Sequence, residues 1–223
     1  MKTLLSYTAI ATALLVGASA AQAQTCLGTA TFAAGGMRAG VEATFDDGAS
    51  AYGASLAFGG VTGTFASIDA SLFDFDEFDE SAYGIGGQVG LQMPVAAMVG
   101  AQFCPLLQAA YVFGPNFEDS GFDIESNSLL ASAGVGFGVP FQLAETAGLV
   151  PFGTARLAYG RTSVEIDGES DSDSDTYGLI GLGAGLVLNQ RITLRPSIEF
   201  PLGLDDSDPT FSFGVAINFG AQR

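Results

Sequence analysis

The chain has 223 residues, including 31 Gly, 18 Phe, no His and no Trp, and its 24 acidic and 7 basic side chains give a net charge of −17. Without His, the chain has no Ser–His or Cys–His catalytic pair and no His-ligated zinc. The negative charge disfavours nucleic acid as a partner, because its phosphates would be repelled. Glycine at about twice its usual ~7% share is typical of chains built from many strands and turns.

Residues 1–23 have the features of a cleaved secretory signal peptide. Lys2 supplies the positive start, an apolar run extends from position 4 to position 17, and Ala21-Gln22-Ala23 fits an A-x-A cleavage site. That run is too short to span a membrane, and no later stretch of 18 apolar residues occurs in the sequence. We therefore expect a mature domain of residues 24–223, either soluble after export or inserted in an outer membrane as a β-barrel.

Beyond the signal, apolar residues alternate with small or polar residues in ten successive segments. In the last segment the odd positions from Phe211 to Phe219 are all apolar. Each segment is close to the ~9–11 residues with which a tilted strand crosses the hydrocarbon layer. In lipid such a sheet must close, because an open edge would leave backbone groups unpaired. The pattern predicts an all-β, transmembrane, antiparallel up-and-down β-barrel of ten strands, or of eight if two segments do not span. The segments are 36–46, 49–59, 62–73, 81–93, 102–113, 128–140, 150–166, 176–188, 191–202 and 210–219.

The connections between these segments segregate charge. If the chain starts in the periplasm, the five odd-to-even connections lie outside the cell, and with Glu165 they hold 20 of the 24 acidic residues. The periplasmic connections hold only Glu145. Longer polar loops outside and shorter turns in the periplasm are typical of outer-membrane barrels. The outer connections are 46–50, 74–80, 114–127, 167–175 and 204–209.

The C-terminal strand carries the most specific motif. Ser212, Gly214, Ile217 and Phe219 form a polar-x-Gly-x-x-apolar-x-aromatic pattern. With this motif the chain resembles the small single-chain outer-membrane β-barrels, the group that includes the OmpA transmembrane domain and OmpX-like proteins. In that group the pattern is the signal recognised by the outer-membrane insertion machinery, although members commonly end on the aromatic residue, whereas this chain continues through 220–223. The resemblance implies a monomer in the outer membrane of a Gram-negative-type bacterium, in contact with lipid and lipopolysaccharide.

Two cysteines in an exported chain predict a disulfide bond. Cys26 precedes the first strand and Cys104 lies near the start of the fifth, so both lie at the periplasmic end. A bond between residues 78 positions apart is worth ~4 kcal/mol in the chain-entropy model. We expect it to tie the N-terminal segment across the lower mouth of the barrel. The alternatives are two unpaired thiols or a lipidated Cys26, which Thr25 disfavours because lipoprotein signals usually have Gly, Ala or Ser there.

Several charged and amide residues fall on the faces that would line the lumen. Arg38 and Glu42 lie four apart on one strand face, as do Arg195 and Glu199. Buried charges must be paired, so we predict an interior salt-bridge network that fills a narrow lumen. The alternative is a constriction that filters ions or small solutes, with space provided by the many lumen glycines. The predicted lumen residues are Arg38, Glu42, Asp69, Gln88, Gln92, Gln108, Arg156, Arg195 and Glu199.

Carboxylates at alternate positions of the fourth outer connection are candidate ligands for weak binding of Ca²⁺ or Mg²⁺. The alternative is a solvated loop whose charges repel one another. Arg161 interrupts the alternation of its strand; it either points toward lipid, where it could pair with a lipopolysaccharide phosphate, or is turned inward by a bulge. No catalytic residue, cofactor or firm metal site is predicted. The candidate cation ligands are Asp167, Glu169, Asp171, Asp173 and Asp175.

The predicted function is non-enzymatic: a structural or surface-interaction role with long acidic extracellular loops. A porin that passes small solutes or ions is the first alternative. A soluble periplasmic β-barrel binding protein is the second, although its apolar faces would expose a wide hydrophobic band to water. A membrane-barrel enzyme is the third, and the lack of His argues against the chemistries most common in that class.

Overall fold

The computed structural model describes residues 25–29, 36–59, 63–75, 78–96, 100–115, 117–119, 122–166, 169–204 and 208–219. The predicted signal peptide, residues 1–23, lies outside this described part, so its cleavage stays a prediction. Among the described residues, no helix is both long enough and apolar enough to cross a membrane.

The described residues form one short 3-10 helix, Thr25–Leu27, followed by thirteen β-strands. The strands are β1 (Met37–Asp46), β2 (Ala49–Gly59), β3 (Thr64–Phe75), β4 (Phe78–Leu91), β5 (Met93–Pro94), β6 (Gln102–Phe113), β7 (Phe117–Asp119), β8 (Phe122–Gly138), β9 (Phe141–Ala144), β10 (Ala147–Ile166), β11 (Glu169–Leu188), β12 (Ile192–Leu202) and β13 (Thr210–Phe219). All except β5, β7 and β9 are ten residues or longer.

The ten long strands of the described part close into one antiparallel barrel. Each pairs with the next long strand along the chain, and β1 pairs with both β2 and β13. The closing pair runs without interruption from Met37 opposite Phe219 to Phe45 opposite Phe211. The predicted ten-stranded barrel is confirmed, and the eight-stranded alternative is wrong. Because the number of strands is even, β1 begins and β13 ends at the same rim, here called the inner rim; the opposite end is the outer rim.

Side chains alternate between the outside and the interior along each barrel strand. On β1, Val41 is 59% exposed whereas the neighbouring Glu42 is only 6% exposed. On β10, Leu157 is 62% exposed whereas Arg156 is buried. Large apolar side chains such as Val41 and Leu157 therefore form a band around the outside of the barrel. Such a band is what a membrane-spanning barrel presents to lipid and what a soluble protein avoids.

Strands β8 and β11 extend further toward the outer rim than the alternation predicted. β8 begins at Phe122 and β11 at Glu169, inside segments that were expected to be loops. The expectation that 167–175 is a loop is therefore wrong for residues 169–175, which belong to β11. The physical reason is that both faces of a strand meet water beyond the membrane. The backbone ladder can then continue although the apolar alternation used to recognise strands has ended.

The barrel interior is packed in three layers. The buried side chains of Glu42, Gln88, Gln108, Arg156, Arg195 and Glu199, here called the charged layer, lie in the middle of the barrel, between an apolar layer near the outer rim and a second apolar layer near the inner rim. The buried Arg38 lies near the inner rim. The expectation of a lumen lined by small and polar side chains is therefore wrong near both rims. The outer layer comprises Ala51, Phe73, Phe75, Ala82, Ala110, Val112, Leu130, Ala158, Tyr177 and Leu179. The inner layer comprises Cys26, Leu27, Phe65, Cys104 and Leu106.

Candidate functional site

The N-terminal residues 25–29 lie inside the barrel and are here called the plug. All five residues are buried, and the helical turn Thr25–Leu27 contacts β6, β8 and β10. The chain then turns at Gly28 with φ +77°, a backbone conformation that side chains disfavour. The plug therefore fills the part of the lumen next to the inner rim.

Glycines on the barrel wall make room for the plug. A Cβ atom at Gly136 would lie 2.7 Å from the carbonyl oxygen of Cys26. At Gly138 and Gly185 a Cβ atom would collide with the carbonyl oxygens of Thr25 and Gly28. Each of these glycines faces the interior, so the space that lumen glycines seemed to leave for a pore is occupied at these positions by the plug backbone.

The plug is joined covalently to the wall by the Cys26–Cys104 disulfide. The two Cα atoms are 6.0 Å apart, and both cysteines are fully buried. They pack with Leu27, Phe65 and Leu106 in the inner apolar layer. The predicted bond is present, but its expected position is wrong: it holds the N-terminal segment inside the lumen rather than across the mouth.

Arg195, on β12, connects the plug to the charged layer. Its Nη1 donates a hydrogen bond to the Leu27 carbonyl oxygen at 3.1 Å, and its Nη2 donates to Glu42 Oε2 at 2.9 Å. The guanidinium carbon lies 5.5 Å from the centre of the Phe152 ring, within the range of a cation–π contact. One buried arginine thus joins the plug, β1 and β10 to its own strand.

A second buried ion pair joins Arg156 to Glu199. Arg156 Nη1 also donates to Gln108 Oε1 at 2.8 Å. Arg38 Nε donates to Asn218 Oδ1 at 2.6 Å across the β1–β13 closure. These contacts link side chains of different strands, rather than the residues four apart on one strand, so the network stabilises the closed barrel as a whole.

The remaining predicted lumen residues make fewer contacts. Gln88 is buried in the middle of the barrel, but its Oε1 has no hydrogen-bond partner in the described protein. Asp69 is partly buried, and its Oδ1 also has no described partner. Gln92 lies just after β4, where its backbone N–H donates to the Gly63 carbonyl at 2.8 Å. The structure therefore does not bring Asp69, Gln88 and Gln92 into the two ion pairs.

A small cavity remains between the plug and the charged layer. It has a volume of about 30 Å³ and is lined by the plug residue Leu27, by the Phe152 ring and by polar groups of the charged layer. The Nε atoms of Arg156 and Arg195 and the Oε1 atom of Glu199 have no protein partner. A cavity of this size holds about two water molecules, which could satisfy these groups.

Beyond the outer rim, parts of three strands continue as a sheet that projects from the barrel. It consists of residues 124–126 of β8, 160–166 of β10 and 169–176 of β11, and is here called the projecting sheet. β10 and β11 pair up to Ile166 opposite Glu169, and β8 pairs with β10 up to the same residue. No described strand pairs with residues 169–176 on their other side, because pairing with β12 begins further along β11. This stretch of β11 is thus an edge strand.

The edge strand satisfies part of its own backbone. The backbone N–H of Ser172 donates to Asp171 Oδ1 at 2.8 Å, and that of Ser174 donates to Asp173 Oδ1 at 2.8 Å. These two amides therefore have partners within their own strand, which leaves fewer groups for an added strand to pair with. Charged side chains on an edge strand also discourage edge-to-edge association. The alternation of Asp and Ser is thus suited to protecting an exposed edge.

Four of the five candidate cation ligands lie on this edge strand. Glu169, Asp171, Asp173 and Asp175 occupy alternate positions and are exposed, whereas Asp167 lies outside the described residues. In the described ranges, no group of three or more Asp, Glu or Cys residues is placed to hold a metal ion.

Arg161 lies on the outward face of the projecting sheet. Its pairing with Ser174 and Leu129 is regular, so no bulge turns it inward. It is exposed, and its Nη2 donates to Ser172 Oγ at 3.3 Å. Of the two alternatives for Arg161, the outward one is therefore observed.

Residues 9–219 match the family described as outer membrane protein beta-barrel domain. The chain belongs to this family. Its fold is similar to that of Ail from Yersinia pestis, with 17% identity and a TM-score of 0.39 over 82% of this chain and 95% of that chain. It is also similar to the N-terminal β-barrel domain of OprF from Pseudomonas aeruginosa, with 16% identity and a TM-score of 0.37 over 83% of this chain and 98% of that chain. The translocator domain of the autotransporter NalP from Neisseria meningitidis is similar with 11% identity and a TM-score of 0.50 over 82% of this chain and 87% of that chain. At these identities the likeness is one of fold alone. No curated protein matches the chain in sequence.

Membership of this family places the barrel in the outer membrane. By the usual topology of such barrels, the inner rim faces the periplasm and the projecting sheet faces the outside. In the predicted insertion signal on β13, Ser212 and Gly214 point inward, whereas Ile217 and Phe219 are exposed to lipid. Its recognition by the insertion machinery stays a prediction.

Two kinds of functional residue were missed from the sequence. Asn218 and Phe152 contact lumen arginines, but neither residue type stands out in an alternating strand. Gly136, Gly138 and Gly185 form the docking surface of the plug. The sequence does contain a cysteine 11 residues before the first strand and closely spaced inward glycines, a combination that indicates a backbone segment lying against the wall.

Proposed function

We propose that this protein is a non-enzymatic outer-membrane barrel with a closed lumen, which supports the membrane and presents an acidic surface to the outside. The occupied lumen is the observation that carries the proposal. The plug fills the inner end, two ion pairs cross the middle, and an apolar layer fills the outer end. The cavity between plug and ion pairs, about 30 Å³, is far smaller than a solute pathway.

The same observations disfavour a porin. Arg195 and Arg156 are paired with Glu42 and Glu199, and Arg38 is buried and bonded to Asn218, so few charged groups are left to attract a passing ion. Phe73, Leu130 and Leu179 are fully buried in the outer apolar layer, where a conducting lumen would be wet. Passage of a solute would require rearrangement of all three layers.

The projecting sheet is the surface that we propose meets partners outside the cell. Its carboxylates are exposed and alternate with serines along β11, so they favour cationic groups or weakly bound divalent cations. Arg161 lies on its outward face near the outer rim, where pairing with a lipopolysaccharide phosphate would be favourable. We expect the protein to act as a monomer, because the edge strand is charged and partly satisfied within itself.

Liposome swelling tests the closed lumen. Purified protein is reconstituted into vesicles and challenged with an isotonic small sugar, with a general porin as the positive control. We expect the swelling rate of protein-free vesicles. Swelling that increases in proportion to the amount of folded protein would overturn the closed-lumen proposal in favour of a porin.

Binding of a cationic probe tests the proposed surface. Cells displaying the wild type are compared with cells displaying a variant in which Glu169, Asp171, Asp173 and Asp175 are all replaced by Ser. We expect fluorescent polylysine to bind several-fold less to the variant and Ca²⁺ to compete with it on the wild type. Equal binding by the two proteins would show that these carboxylates do not form an interaction surface.

A further inference from the structure

The Cys26–Cys104 bond is enclosed on every side once the barrel has formed. Both cysteines are fully buried, and Leu27, Phe65 and Leu106 pack around them. Leu27 and Leu106 separate the two cysteines from the cavity of about 30 Å³, which both residues line. Thiol–disulfide exchange requires a thiolate and the attacked sulfur to meet directly, and a protein oxidase cannot reach sulfur atoms in such a position.

The two cysteines and the apolar side chains packed on them come from the first half of the chain, whereas the wall that encloses the plug on its other sides comes from the second half. Cys26 precedes β1 and Cys104 lies on β6, so the bond requires only the first five long strands. The docking glycines lie on β8 and β11, and Arg195, which binds the Leu27 carbonyl, lies on β12. The cysteines can therefore meet before the strands that enclose them are in place.

We infer that the Cys26–Cys104 bond forms before the barrel closes, by exchange with a disulfide-bearing oxidase of the periplasm, and that the later strands then close around the tethered plug. One cysteine thiolate attacks the oxidase disulfide and displaces an oxidase thiolate. The second cysteine thiolate attacks the resulting mixed disulfide, which forms the Sγ–Sγ bond and releases the oxidase as a dithiol. Two electrons and the two cysteine protons pass to the oxidase, so the exchange balances without another reactant.

This order has a structural consequence. The bond holds the plug next to β6 while the sheet is still open, so the strands of the second half meet a plug already in its final position. If closure came first, the plug would have to enter a lumen in which the space beside the wall glycines is just large enough for the plug backbone. In this order, oxidation precedes closure of the barrel, and closure then encloses the bond.

The rate of oxidation in two states of the same chain tests this order. The reduced wild type is treated with a thioredoxin-fold disulfide oxidase either unfolded in urea or after folding in detergent micelles, with folding verified by the mobility shift of unboiled protein on a gel. Samples are quenched with acid, and free thiols are counted with a maleimide polymer. We expect oxidation of the folded barrel to be at least about 100-fold slower, because exchange then requires the barrel to open. Similar rates in the two states would overturn the inference.

A matched control tests whether a thiol on the surface of the folded barrel remains reactive, and a second measurement applies if the reduced chain does not fold. Ser170→Cys in the Cys26→Ala/Cys104→Ala background places one thiol on the exposed edge strand, and it should react with the maleimide polymer at similar rates in the folded and unfolded states. If the reduced chain does not fold, cells depleted of the insertion machinery are pulse-labelled, and we expect the uninserted chain to contain the disulfide already. Free thiols on the uninserted chain, together with a disulfide on the inserted chain, would overturn the inference.

Discussion

Charged side chains occur in two regions of this barrel under opposite conditions. In the lumen, Arg195 and Glu42 are buried and lie 2.9 Å apart, and the guanidinium also holds the plug. On the projecting sheet, Asp171 and Asp173 are exposed and accept hydrogen bonds from the backbone amides of Ser172 and Ser174 in their own strand. The lumen charges are therefore expected to determine stability, whereas the projecting charges determine what the surface attracts. The environment, rather than the residue type, decides between the two roles.

The largest difference in stability is expected between substitutions of a buried and an exposed arginine. Arg195→Leu leaves Glu42 buried without its partner and removes the hydrogen bond to the plug. We expect the free energy of unfolding to fall by ~3–5 kcal/mol, measured by urea unfolding in lipid vesicles. The matched control, Arg161→Leu, removes an exposed arginine with a 3.3 Å contact to Ser172, and should change stability by less than ~1 kcal/mol. Equal losses for the two variants would contradict the distinction.

The disulfide provides the next test of the lumen. In Cys26→Ala/Cys104→Ala, we expect the free energy of unfolding to fall by ~2–4 kcal/mol, because the unfolded chain is no longer cross-linked over 78 residues. The barrel should still form, since Arg195 and the ion pairs are unchanged. Unfolding of the variant is compared with that of the oxidised wild type. An unchanged free energy of unfolding would show that the cross-link does not stabilise the barrel.

A methyl group on the barrel wall tests whether the plug backbone needs the glycines. Gly138→Ala places a Cβ atom against the Thr25 carbonyl, and we expect a loss of ~1–3 kcal/mol from overpacking. The control is Gly153→Ala on β10, where a Cβ atom would lie 3.4 Å from Leu182 and fit without displacement. Its effect should stay within ~0.5 kcal/mol. Equal free energies of unfolding for Gly138→Ala and the control would contradict close packing of the plug backbone on Gly138.

Substitutions of the carboxylates on the projecting sheet are expected to change stability little, so their effect is measured as self-association of the protein. Asp171→Ala/Asp173→Ala removes both carboxylates that accept edge amides. Glu169→Ala/Asp175→Ala removes the same charge, and the structure shows no such hydrogen bond for these residues. We expect only the first variant to self-associate in detergent, measured by light scattering after size-exclusion chromatography. Association of both variants to the same extent would mean that charge alone, not the amide contacts, protects the edge.

The sequence predicts the membrane-spanning parts well because lipid imposes a strict alternation. β2, β6 and β13 have the predicted bounds. The projecting part of β11 was not predicted as strand, because both of its faces meet water and the alternation of apolar side chains is lost there. Local pattern therefore locates strands where one face must be apolar, and fails where neither has to be.

The interior was harder to predict, because alternation says which face a residue occupies but not how the lumen is filled. Leu130 follows the lipid-facing Leu129, and Phe73 follows Leu72; adjacent large apolar residues of this kind mark positions where the interior is apolar as well. The partners of the arginines could not be deduced, because they depend on the strand register around the closed barrel. The plug has no strand or helix pattern of its own and is held by contacts distant in sequence.

Single-channel recording in planar bilayers tests the closed lumen most directly. Folded wild-type protein, purified with its disulfide intact, is inserted from detergent into a bilayer in concentrated potassium chloride under an applied voltage. We predict a stable baseline without unitary current steps, because the plug, the ion pairs and the outer apolar layer fill the lumen. Reproducible unitary steps from the folded barrel would contradict the account and establish a pore.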